Sequence, residues 1–172
     1  MSPVTGPRKA RWKPGMVYAV PLEGGSFGLA QSIDAMTVNI IYVAVFSHRL
    51  PAPPPSPPEL APIAAVALLA TRRQALNRGE WLSLGLAPPA FKKRHFPNER
   101  FVSEGYVGAK IYDAGLIAEF LSAYHGLLPW NVMAEENYYE AMLKPGVSPT
   151  KAIILSSEER LAYRRQHFGL GA

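Results

Sequence analysis

The chain has 172 residues, 48% of them hydrophobic and 18% charged, with a net charge of +5 and no cysteine. These values fit one globular domain and exclude a disordered chain, disulfides, thiolate metal sites and a cysteine nucleophile. The excess of Lys and Arg lies in residues 1–112, and residues 113–172 are mildly acidic, a balance open to nucleic acid, an acidic partner or plain solubility.

Residues 1–10 are polar and basic and read as a flexible arm. Pro14-Gly15 signals a turn. Val17 to Leu22 alternates as a strand, Glu23-Gly24-Gly25-Ser26 is a hairpin turn, and Phe27 to Ile33 is the return strand. Val38 to His48, rich in Ile, Val, Tyr and Phe, predicts a central strand. The proline-dense run from Pro51 to Pro62 cannot be helix or inner strand, because each proline removes a backbone donor. It reads as a stiff, polyproline-like surface connection, with a ligand for an aromatic groove as the alternative.

Ile63 to Ala70 predicts a buried strand, with a helix as the alternative its alanines allow, and Thr71 is placed to cap a brief helix over Arg72–Asn77 that stops at Gly79. Trp81 to Leu86 reads as a strand, Pro88 to Arg100 as a basic loop, and Tyr106–Ile111 as one more strand. Asp113 is a fair N-cap for a helix running to His125 and ended by Gly126. Leu116, Ile117, Phe120, Leu121 and Tyr124 share its apolar face. A second helix is predicted over Glu135–Leu143 and a late strand over Lys151–Leu155. Ser156 and Glu159 form a capping box for a last helix to about His167, with Gly169 past its end.

The motifs of common catalytic chemistry are missing. Gly24, Gly25 and Gly28 precede a strand, whereas a phosphate loop needs a helix after its glycines. His48, His95, His125 and His167 have no metal-ligand spacing among them, and no G-x-S-x-G elbow exists. His95, beside Arg94 and near Glu99, is the one histidine with a general-base context. Lys92-Lys93-Arg94-His95-Phe96 mixes cations and aromatics as single-strand binders do, and Arg72, Arg73 and Arg78 would enlarge that patch if the fold brought them near. Trp130, in a loop between Pro129 and Asn131, is expected to be partly exposed, as interface anchors are. Tyr138 and Tyr139 are adjacent, so one of them points outward from a helix.

The stretch from Lys13 to Gln31, KPGMVYAVPLEGGSFGLAQ, resembles the start of the immunity protein 26 family. The matching positions are Gly15, Val20-Pro21-Leu22, Gly24-Gly25 and Phe27-Gly28-Leu29-Ala30. Gly79-Glu80-Trp81 and the phrase HFPNERF, His95 to Phe101, add to the likeness, which covers mainly residues 11–110. The resemblance implies a cytosolic bacterial protein that neutralises a cognate toxin by binding it, and it supplies no catalytic residue. Inhibitors of toxin nucleases are often acidic, so the basic balance argues against a basic nuclease as target.

The expectation is therefore an α+β domain. A small, strongly bent antiparallel sheet or SH3-like barrel occupies residues 11–112, and residues 113–172 pack on it as a helical extension. The expected role is toxin binding by Lys92, Lys93, Arg94, His95, Arg100, Trp130 and Tyr138, without catalytic residue, metal or cofactor. A nucleic-acid-binding SH3-like module is the alternative, and an enzyme built around His95 or Glu104 is the third reading. No signal-peptide pattern follows the N-terminus, and Val38–Phe46 and Ile63–Ala70 are too short to cross a bilayer as helices. A cytoplasmic location is thus expected, with no membrane partner.

Overall fold

The structure is a computed structural model and describes residues 10–169. The arm expected at residues 1–10 lies outside the described residues apart from Ala10, which packs against the core. The strands are β1 (Met16–Pro21), β2 (Phe27–Thr37), β3 (Ile40–Leu50), β4 (Ala65–Arg72) and β5 (Leu82–Leu86), and the helices are α1 (Arg73–Asn77), α2 (Ala114–Tyr124) and α3 (Ser157–Phe168). The protein is α+β, with one five-stranded antiparallel sheet in the order β4-β3-β2-β1-β5. The first four strands form a meander, and β5 returns to the free side of β1. The sheet is not closed into a barrel; β4 and β5 are its two edges.

Strand alternation feeds two cores, one on each face. Tyr18, Val20, Ile41, Val43 and Val45 face α2 and the segment after it. Val17, Leu29, Tyr42, Ala44 and Phe46 face Leu60 and Phe96. A strand buried on both faces has no polar side to show, which is why β3 reads as a continuous apolar run. Register shifts along β2–β3 and β1–β5 mark bulges, which bend a strand locally.

The opening hairpin forms as the sequence predicts. Leu22 donates to Ser26 O at 2.9 Å, and Gly24 and Gly25 turn the chain with φ of 83° and 95°. Gly28 has a different task. A Cβ there would lie 2.8 Å from Leu121 Cδ1, so the missing side chain lets α2 lie directly on β2.

The proline-dense run is neither helix nor strand. It folds back over β5, where a Cβ on Gly85 would lie 3.2 Å from Pro57 Cδ, and it buries Leu60. Covering an edge strand in this way blocks unwanted strand pairing.

Four local expectations are corrected. Thr71 is a buried residue of β4, and its hydroxyl has no hydrogen-bond partner among the described residues. Arg72 takes the cap position of α1, where Arg73 N–H donates to Asn39 O at 2.8 Å. The strand expected at Tyr106–Ile111 does not form, because Gly105, Tyr106 and Gly108 all adopt positive φ and turn the chain. The helix expected at Glu135–Leu143 shrinks to one 3-10 turn, Glu140–Met142. Its two tyrosines take different partners: Tyr138 lies edge-on to Tyr112, and Tyr139 packs onto Phe120 and Trp130. Packing here overrides helix propensity. The late strand is reduced to one bridge between Pro129 and Ile153.

The last helix keeps its capping box, with Glu159 N–H donating to Ser156 Oγ at 3.2 Å and Ser156 N–H to Glu159 Oε2 at 3.1 Å. No residue of α3 is buried. Arg160 instead ties it down, donating to the carbonyls of Asn131, Met133 and Ala134, while Arg164 donates to Val132 O at 2.7 Å. Asp113 does precede α2, but its carboxylate makes no cap bond and pairs with Arg72 at 3.5 Å.

His125, just past α2, is held neutral. Burial, and then the charges of Arg49, Lys151 and His48, bring its imidazole from 6.5 down to about 4. The unfolded chain takes up this proton first as pH falls, so stability present above pH 6.5 is lost between 6.5 and 4. With solvent screening the loss is about 1 kcal/mol. Urea midpoints measured from pH 7 to pH 4 are expected to fall less steeply in His125→Phe than in the natural chain.

Candidate functional site

The basic loop after β5 is held by three anchors. The first is Gln31, fully buried in β2. Its amide nitrogen donates to Ala87 O at 3.1 Å and Pro88 O at 3.2 Å, and its Oε1 accepts from Ala90 N–H at 3.0 Å. The second is Phe96, which is buried and stacks on Tyr42 with ring centroids 4.4 Å apart. The third is Glu99, whose Oε2 accepts from the Tyr42 hydroxyl at 2.6 Å and the Tyr106 hydroxyl at 2.7 Å. Burial first, and then the Glu99 carboxylate, push both phenols upward, so each keeps the proton it donates.

Between these anchors the chain turns tightly. His95 N–H donates to Lys92 O at 2.9 Å, and Lys92 N–H donates to His95 Nδ1 at 2.9 Å. Pro97 then opens a 3-10 helix, Pro97–Glu104, a position where its missing N–H costs nothing. Asn98 clamps the far end of the segment, its Nδ2 donating to Lys110 O at 2.7 Å and its Oδ1 accepting from Lys110 N–H at 3.2 Å.

This segment forms one wall of an open groove of about 320 Å³. The outer edge of β4 forms the floor, with Leu68 and Leu69, and residues 141–145 form the other wall. His95, Arg100, Lys110 and Lys144 stand around it, and no carboxylate of the described residues lines it. On the far side of His95 and Arg100 lies a shallower hollow that holds Lys93 and Arg94. A third hollow continues the groove past Lys110 and Tyr112 to Tyr138.

The structure therefore brings most of the expected residues to one surface. Arg94, His95 and Arg100 are exposed there, Lys93 and Tyr138 are half-buried, and Lys92 is exposed on the same loop but outside the groove wall. Trp130 is the correction: it is 2% exposed and packs on Phe120 at 5.8 Å and Tyr139 at 5.4 Å. The apolar face of α2 needs a large ring to cover it, and Trp130 supplies that ring. Arg72 and Arg73 do not enlarge the groove either, since they line a separate hollow with Asn39, Gln74 and Asn77. Lys110 and Lys144 complete the cationic rim and were invisible as a cluster, because they come from different segments.

The groove offers charge and apolar contact. His95 Nδ1 already accepts from its own turn, and among the described residues no group of three or more His, Asp or Glu is placed to hold a metal ion. No helix among them is long and apolar enough to cross a membrane. No family model, curated protein or solved structure matches the chain.

Proposed function

We propose that this protein is an immunity protein that binds a cognate bacterial toxin in the cytosol and neutralises it by occlusion, with the groove and its basic loop as the docking surface. The observation that carries this reading is the pairing of a cationic rim with exposed aliphatics on one well-anchored segment. Val102, Val107 and Ile111 are 55%, 73% and 42% exposed. Uncovered apolar side chains beside Arg are typical of protein interfaces. The strand order, in which β5 returns to β1 after a four-strand meander, supports an SH3-like arrangement that is opened rather than closed.

The same cations favour nucleic acid as a second reading. Stacking argues the other way. The Arg100 guanidinium already covers Phe101 at 4.6 Å, the Lys144 ammonium lies over Phe91 at 5.1 Å, and Tyr112 is buried. Single-strand binders need free aromatic faces for the bases.

The test uses the C-terminal domain of the protein encoded immediately upstream. It is expected to bind, and Arg94→Ala and Arg100→Ala are each expected to weaken binding by about 2 kcal/mol, as interface anchors do. Unchanged affinity in both variants by calorimetry would remove the groove from the interface. Retardation of an oligothymidylate at low salt, lost as salt rises, would favour the nucleic-acid reading.

A further inference from the structure

The floor of the groove is a gap in a sheet edge. On the open side of β4, Val66 O accepts from Lys144 N–H at 2.8 Å and Ala70 O accepts from Tyr112 N–H at 2.9 Å. In an antiparallel strand, alternate residues turn their backbone groups to the same side. Val66, Leu68 and Ala70 therefore all face away from β3, with Leu68 opposite Ala44 in the register. Lys144 and Tyr112 occupy the carbonyls of the outer two positions. Leu68 lies between them on the groove floor, half-exposed, and no hydrogen bond from the described residues reaches its outward N–H and C=O. An unpaired backbone donor and acceptor at a sheet edge are the template on which an extended peptide adds as a strand.

We infer that this gap receives the carboxyl-terminal end of a partner polypeptide, added to β4 as a short extended strand through Leu68. The inference rests on the reading of the protein as a protein binder and names the segment it grips. Two observations select a chain end over an inner stretch. From Val66 to Ala70 the edge spans about 13 Å, room for roughly three residues, and it is closed at both ends by chain already bonded to β4. A strand entering it must therefore stop or turn away. Among the described residues the rim of His95, Arg100, Lys110 and Lys144 carries no carboxylate, so a partner's terminal carboxylate complements its charge. Leu69 and Met142 beside the gap accept an aliphatic last side chain.

The experiment titrates the full, 15N-labelled chain with a pool of N-acetylated tetrapeptides that carry Asp or Glu inside and end in Val or Ile with a free carboxylate. The Leu68 amide signal is expected to shift and its hydrogen exchange to slow at least tenfold. The amidated pool is expected to bind at least tenfold more weakly, and so is the free-acid pool to Arg100→Ala combined with Lys110→Ala. An unmoved Leu68 signal, or equal binding of the amidated pool, overturns the inference. So does an oligothymidylate that displaces the peptides from the groove. If the upstream toxin domain binds while Leu68 stays unperturbed, strand addition fails and the binding function stands. If the peptides bind through Leu68 and no toxin domain does, strand addition stands and the immunity reading fails.

Discussion

Trp130→Ala is expected to cost the fold about 3–5 kcal/mol, and to do so through packing rather than binding. The indole fills the space between Phe120 on α2 and Tyr139, and only 2% of the residue is exposed. Its N–H in the main chain also donates to Ile153 O at 2.8 Å, so the residue sits where the C-terminal segment bonds back to the loop after α2. The wall of the groove follows from the same packing, because Tyr139 precedes the turn that carries Met142 and Lys144. Truncation leaves a cavity that surrounding rings cannot close. A domain of this size has only about 5–15 kcal/mol to lose. Urea unfolding is the check, with Trp130→Phe losing less. A midpoint that barely moves would mean that the ring is a surface anchor after all.

Gln31→Leu is the second large effect, expected at about 2–4 kcal/mol. The substitution keeps the volume and removes every polar contact of a fully buried side chain. Ala90 N–H loses its acceptor, and the carbonyls of Ala87 and Pro88 lose their donor. Each of these partly buried groups left alone loses its bond, and the three losses together make the expected effect. The loss is also expected to be directional. Exchange of the Ala90 amide should speed up more than exchange of the β3 amides, because Gln31 holds the start of the basic loop to the sheet. Uniform loosening of all strands would assign Gln31 to the core alone. Faster exchange confined to the Ala90 side would link the stability of β2 to the shape of the groove.

The sheet was legible where a local rule governs. The glycine pair at Gly24-Gly25, the apolar run of β3 and the capping box at Ser156 each state a structure within a few residues. The legible part ends where distant groups decide. Tyr106–Ile111 has the composition of a strand, yet Gly105 and Gly108 turn the chain and Asn98 clamps it from a segment before it. The run Glu135–Leu143 reads as a helix, yet Tyr138 packs on Tyr112 and Tyr139 on Phe120, and only Glu140–Met142 keeps a helical turn. Trp130 reads as a loop residue, and nothing near it in sequence reveals that α2 lies beneath.

The groove was half legible for the same reason. The run Lys92 to Arg100 shows its charge in one line of sequence. Lys110, Lys144 and the free edge at Leu68 belong to separate segments, and only the antiparallel register brings them together. Nothing near Lys144 in sequence signals that its N–H bonds to β4. Gln31 offered one cue: a polar residue between the strand residues Ala30 and Ser32, at a position the fold buries completely.

The most direct test compares hydrogen exchange along the whole chain with and without the C-terminal domain of the protein encoded immediately upstream. The account expects protection confined to residues 66–70, 92–112 and 141–145. Protection that falls on α3 or the hairpin at Glu23–Ser26 instead, or no protection anywhere, would contradict the claim that the β4 groove is the surface through which this protein works.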